Sequence, residues 1–275
     1  MRKSKFFITG FIVITFIIVL AIISPNIIVH NPIVVNLRQR LTAPQYLENG
    51  WSGYILGTDP LGQDVLTRLL IGSRMSLMIS VTVVVATAVI GTILGVIAGF
   101  YGGAVDMAIM RITDIQMSVP ATVLAIAVMA ILGNSIPNLI IVLVITRWVQ
   151  YARVVRGSVM AIRGVEFVQA SRALGSSDLR IMFTQILPNV VTALLILMSQ
   201  GFGQIILAEA SMSFLGLGVP LPTPSWGGMI SEGREYLTVA PWVVIAPGCA
   251  LMVAVLGFNF LGDGVRDILD PKNKR

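Results

Sequence analysis

The residues best placed to do chemistry form a contact surface, not a catalytic group. The stretch Arg153–Asn189 reads RVVRGSVMAIRGVEFVQASRALGSSDLRIMFTQILPN. It carries Arg153, Arg156, Arg163, Arg172 and Arg180, against only Glu166 and Asp178. Within it Phe167, Ala170, Ser171 and Leu174 follow i, i+3, i+4, i+7 spacing, which predicts a short helix with one narrow face of small and apolar side chains. Glu166, Gln169 and Arg172 line its polar flank. Gly175 suits a left-handed C-cap. Ser177 can cap a second short helix whose N-terminus Asp178 favours, and Pro188 marks the entry to the next apolar run. Two short helices joined at a glycine make a docking knob. Their apolar face is small for a helix lying on a membrane.

Other chemistry is sparse. His30 is the single histidine and Cys249 the single cysteine. No intrachain disulfide is possible. No lysine follows a glycine, so no Walker-type phosphate loop exists. Gly216 and Gly218 begin a G-x-G without its third glycine. No H-E-x-x-H or Cys/His cluster offers a metal centre, and a serine nucleophile finds no base. The chain reads as a non-enzyme that holds no cofactor of its own. Glu209 is the acid nearest membrane depth. It either faces a pathway, together with Met212, or sits hydrated at an interface.

Composition supplies the elements that must carry these residues. Of 275 residues 56% are hydrophobic and only 12% charged, about half the charge of a soluble domain. The expected fold is a single all-α membrane domain, 1–275. Its predicted spans are Phe6–Ile23, Met75–Phe100, a third ending near Leu132, Ile136–Val149, Val190–Ala208 and Ala240–Leu261. Ser24-Pro25-Asn26 is read as ending the first, and Pro120 as a kink in the third. Arg111 and Asp114, three apart, are expected to pair. Thr87, Gly91, Gly95 and Gly99 recur every four residues, a ridge for close helix packing.

The formal net charge is +6, and topology accounts for it better than nucleic-acid binding. Most basic residues fall in the head Met1–Lys5, near Arg147, in the 153–189 loop and in the tail Gly262–Arg275. By the positive-inside rule both termini and that loop are cytosolic. Two segments then lie outside. The first, 27–74, is an ordered cap with a short helix at Gln63–Ile71. Thr58 or Asp59 is its expected N-cap, and Gly57, Gly62 and Asp64 belong to the same loop. The second, 211–236, is broken by Pro220, Pro222 and Pro224. Trp226, Tyr236 and Trp242 suit an interfacial belt.

Gln169-Ala170-Ser171, then Gly175, then Leu187-Pro188 resembles the EAA loop of permease subunits of bacterial ABC importers, with Gln169 in place of the motif's Glu, Ser171 of its second Ala and Gln185 of its Ile. LGTDPLGQDV (56–65), WVQYARVVR (148–156), SFLGLG (213–218), PTPSWG (222–227) and FNFLGDGVRDILDP (258–271) look like the second permease of dipeptide, oligopeptide and nickel importers. The resemblance implies a type I importer-like permease with six spans in a bacterial or archaeal cytoplasmic membrane. It implies a homologous second permease, two ATP-binding subunits that hold ATP and Mg, and an external solute-binding protein. Gly57, Thr58, Asp59, Gly62, Asp64 and Trp226 would then serve the outer gate. Glu166, Phe167, Gln169, Ala170, Ser171, Leu174, Gly175 and Pro188 would couple to the ATPase, with Gln169 docking without a charge. Peptide and nickel, as ion or chelate, both remain open as solute. A stand-alone secondary transporter or channel is the alternative from another class.

Overall fold

The computed structural model describes residues 3–28, 30–44 and 53–269. The first two residues of the basic head, part of the cap (29 and 45–52) and the last six residues of the tail lie outside them.

In lipid every backbone amide must be satisfied within its own segment, so an apolar chain of this kind resolves into helices. Helix α1 covers Lys3–Ile27, α2 Val65–Tyr101, α3 Gly103–Met117, α4 Ala121–Leu132 and α5 Ile136–Ile162. Helix α6 covers Glu166–Ala173, α7 Asp178–Ile181, α8 Leu187–Phe214, α9 Trp226–Gly233 and α10 Trp242–Leu269. Five helical stretches among the described residues are long and apolar enough to cross a membrane. The pair α3–α4, bent by 88°, makes a sixth when taken as one span.

Several boundaries differ from the sequence reading, each for a local reason. Helix α1 runs through Pro25 to Ile27. Pro25 has no N–H for the carbonyl of Ala21, and the Ser24 hydroxyl donates to that carbonyl instead, at 2.9 Å. The expected helix at Gln63–Ile71 is not separate. It is the start of the 37-residue α2, which at 1.5 Å per residue extends about 55 Å, well beyond a hydrocarbon core. Pro120 does more than kink the third span. The residue before a proline is pushed out of the helical region, and α3 and α4 turn almost at right angles there. Helix α5 continues past Val149 to Ile162, so the first third of the polar 153–189 stretch is helical. Likewise α10 takes in most of the tail.

Glycines set the packing. The ridge Gly91, Gly95, Gly99 lies against α5. A Cβ on Gly91 would stand 2.8 Å from the Trp148 carbonyl oxygen, one on Gly95 2.6 Å from that of Ala152, and one on Gly99 2.7 Å from Val159 Cβ. The ridge thus acts in packing, as its spacing predicts. A second contact of this kind joins antiparallel α1 and α10, where Gly10, Gly257 and Gly264 meet each other's helices. Charge fastens α3 to α5. Arg156 forks onto Asp106, its Nη2 donating at 2.6 Å, and Arg153 pairs with Asp114. Asp114 therefore bonds across to α5 and not to Arg111 on its own helix.

Candidate functional site

The knob is built as a lever fixed to one end of the bundle. Helix α6 has one buried residue, Val168. It packs with Val96, Phe100, Val155 and Val159 from α2 and α5 and with Ile181 and Ile186 beyond. Arg172, one turn on, lies over the Phe100 ring at 5.3 Å. Phe167 and Leu174 point away, with Leu174 87% exposed. Ala170 and Glu166 are exposed too and Ser171 half-buried. The predicted apolar face is therefore the free face, and Val168 with Arg172 is the anchoring face that the sequence reading passed over. A second stripe, Val165, Val168 and Arg172, carried the signal.

Gly175 ends α6 with φ +81°, a conformation that costs a side-chain-bearing residue about 1–2 kcal/mol. The Ser176 amide donates to the Ser171 carbonyl at 3.1 Å and the Gly175 amide to that of Arg172 at 3.0 Å, the paired bonds of a Schellman cap. A Cβ here would meet nothing within 4 Å. Ser177 then caps the next helix by accepting the Arg180 amide. Gln169 does not project as a docking group alone: its amide donates to the Gly164 carbonyl at 2.9 Å, a bond that a carboxylate cannot make.

The second short helix is continuous with the long one. Asp178–Phe214 forms a single stretch of 37 residues. Pro188 lies inside it, not at a fresh entry, and the helix passes it by widening into a π turn over Met182–Ile186. Such turns concentrate at functional sites. A continuous helical element thus runs from the knob toward the far end of the bundle.

At that far end the loop residues are locked inside. Thr58, Asp59, Asp64 and Trp226 are all at most 5% exposed. Asp64 is the N-cap of α2, accepting the Leu66 and Thr67 amides, and displaces Thr58 and Asp59 from that role. Asp59 accepts the Leu61 and Gln63 amides at 2.8 Å and pairs with Arg68, which also bonds Glu232 at 2.9 Å. Gly57 and Gly62 hold positive φ. The Trp226 indole donates to the Leu69 carbonyl at 3.1 Å, joining α9 to α2, and that of Trp242 donates to the Thr58 carbonyl at 3.1 Å, joining α10 to the loop before α2. In this conformation the cluster shapes the surface from beneath.

Glu209 lies inside the subunit and is not hydrated at its surface. It is buried, accepting from Ser213 at 2.9 Å and Ser225 at 3.0 Å, with Ser76 at 3.5 Å. These hydroxyls come from α2, α8 and the loop before α9, so Glu209 joins them. Met212, equally buried, borders a cavity of about 240 Å³ between α4, α5 and α8. Arg147 and Gln204 border it too. A span ending at Val149 would put Arg147 near its end, but α5 continues to Ile162 and places it mid-helix.

Residues 91–275 match the family model of the binding-protein-dependent transport system inner membrane component. The chain belongs to that family. This permease is therefore a multi-pass inner-membrane transport subunit and not itself catalytic. It is 41% identical over 274 residues to the dipeptide transport system permease protein DppC of Alkalihalophilus pseudofirmus, covering 100% of this chain and 88% of the relative. It is 38% identical, with the same coverage, to the oligopeptide transport system permease protein OppC of Bacillus subtilis. Its fold is that of a type I importer permease. An inward-facing MetNI methionine ABC transporter structure superposes with a TM-score of 0.61 at 20% identity, over 74% of this chain and 97% of that one.

Proposed function

We propose that this permease forms half of the translocation pathway of an ATP-driven importer for di- and oligopeptides. Separate ATPase subunits power it through residues 165–188. A homologous second permease completes the path, and an external solute-binding protein delivers the peptide to segments 27–74 and 211–236. Both termini and the knob lie in the cytosol, and ATP and Mg are held by the ATPases.

The observation that carries this reading is the knob itself. Helix α6 offers Phe167, Ala170 and Leu174 outward, while Val168 fastens it to the body. Closure of the ATPases would pull on α6, and the continuous helix from Asp178 would carry the pull past Pro188 to the cavity beside Met212. Gln169 braces the loop before α6, so docking rests on shape. The peptide assignment is supported by the relatives, whose names specify dipeptide and oligopeptide transport.

The test is reconstitution of the chain in liposomes with a second permease, ATPases and a binding protein from the same organism. Labelled dipeptide uptake should require ATP and every subunit, and should be insensitive to Ni²⁺. Uptake that persists without the ATPases would establish a stand-alone transporter. Uptake of Ni²⁺ in place of peptide would refute the substrate.

A further inference from the structure

Arg147 is a cation inside a membrane-spanning helix with no anion paired to it among the described residues. It lies about 16 Å along α5 from Ile136 at 1.5 Å per residue, near the middle of Ile136–Ile162. None of the ion pairs among the described residues includes it. Its hydrogen-bond contact there is Gln204 Oε1 at 3.5 Å, long for such a bond. The other arginines that α5 presents to α3 are treated differently: Arg153 and Arg156 each have an aspartate. An ionised side chain at such depth is costly and marks a pathway or a partner.

Its surroundings have the character of a binding site. Arg147 borders the 240 Å³ cavity together with Thr146, Gln204 and Ser211, against Leu143, Leu207 and Met212. The Thr146 and Ser211 hydroxyls donate their protons to their own helix carbonyls. What remains on those oxygens is acceptor capacity. A guanidinium beside acceptor hydroxyls and an apolar wall complements a carboxylate next to an N–H and a short side chain. The cavity is smaller than the roughly 300 Å³ at which drug-sized pockets begin, so it takes one end of a solute.

We propose that Arg147 binds the C-terminal carboxylate of the peptide as it passes between α4, α5 and α8. This rests on the peptide-importer reading and deepens it. The carboxylate is common to every peptide whatever its side chains, so a fork matched to it gives a sequence-tolerant foothold. Gln204, beside the guanidinium, leaves its charge unneutralised.

The test compares ATP-driven uptake of dialanine with that of dialanine amide by the complete reconstituted importer. The binding protein has its own preference between the two. That preference cancels when the carboxylate-to-amide ratio of a variant is divided into that of the wild type. For Arg147→Gln the expected loss of discrimination is about tenfold to a hundredfold, the range for a charge-assisted bond. Gln204→Glu supplies an internal carboxylate to Arg147, which favours folding, and should lose the same discrimination. It decides the matter if Arg147→Gln fails to assemble. Discrimination unchanged in the variants that assemble would overturn the proposal and leave Arg147 as a structural partner of the second permease. Failure of the wild-type complex to take up dialanine at all would instead overturn the peptide reading, and this inference with it.

Discussion

Val168→Ala should loosen the knob and leave the bundle intact. Val168 is 1% exposed and is the one buried residue of α6. Truncation removes two methyl groups from a closed apolar site, at a cost of about 2 kcal/mol including the cavity left behind. The other fastenings are modest. The Arg172–Phe100 contact contributes about 0.5–1 kcal/mol, and the Gln169–Gly164 hydrogen bond about 1 kcal/mol. Val168 thus supplies roughly half of what holds α6 down. A loss of 2 kcal/mol raises the population of the detached knob about thirtyfold. Hydrogen exchange on the assembled importer should show amides of 166–173 exchanging about thirtyfold faster, while α2 and α5 stay protected. ATP consumed per solute moved should rise in parallel. Unchanged exchange in 166–173, or equal acceleration in α2 and α5, would refute the assignment of Val168 as the knob's anchor.

Four further substitutions test other parts of the account. Gly91→Leu forces a side chain into the Trp148 carbonyl and the Ala152 amide, costing about 3 kcal/mol, and should abolish accumulation in the membrane. Gly164→Ala, with nothing near its added Cβ, should accumulate normally. Asp59→Ala leaves the buried Arg68 with Glu232 alone and removes the acceptor of the Leu61 and Gln63 amides, a loss of about 2–3 kcal/mol that should appear as a lower Tm. Glu209→Gln should lower thermal stability and leave the KM for solute within about twofold. A tenfold change in KM would return Glu209 to the pathway.

Much of this architecture was legible because its signals are local. Long apolar runs imply spans, and glycines at four-residue spacing imply a close helix contact, which α2 and α5 make. Gly175 and Ser177 could be placed as caps because capping depends on immediate neighbours. What was hidden depended on partners far away in sequence. Asp114 has Arg111 within reach on its own helix, yet its position facing α5 gives it to Arg153. Thr58 and Asp59 look like caps, but loop closure hands that role to Asp64 and buries Asp59 against Arg68. The polarity of 153–162 argued for a loop, although Val149, Ala152, Val155 and Val159 already carried a helical stripe. Pro188 suggested a boundary because sequence rules give proline no hint of the π turn that lets a helix pass it.

The central claim is that α6 docks in a groove on a partner ATPase, and Gly175 allows a direct test. An added Cβ there meets nothing within 4 Å, so the local cost shared by any replacement is the backbone strain of about 1–2 kcal/mol at positive φ. Gly175→Ala and Gly175→Trp share that strain and differ in bulk. ATP-driven uptake should largely survive in the alanine variant and vanish in the tryptophan variant, with both present in the membrane at wild-type levels. Uptake retained in Gly175→Trp, or lost equally in both, would contradict the claim.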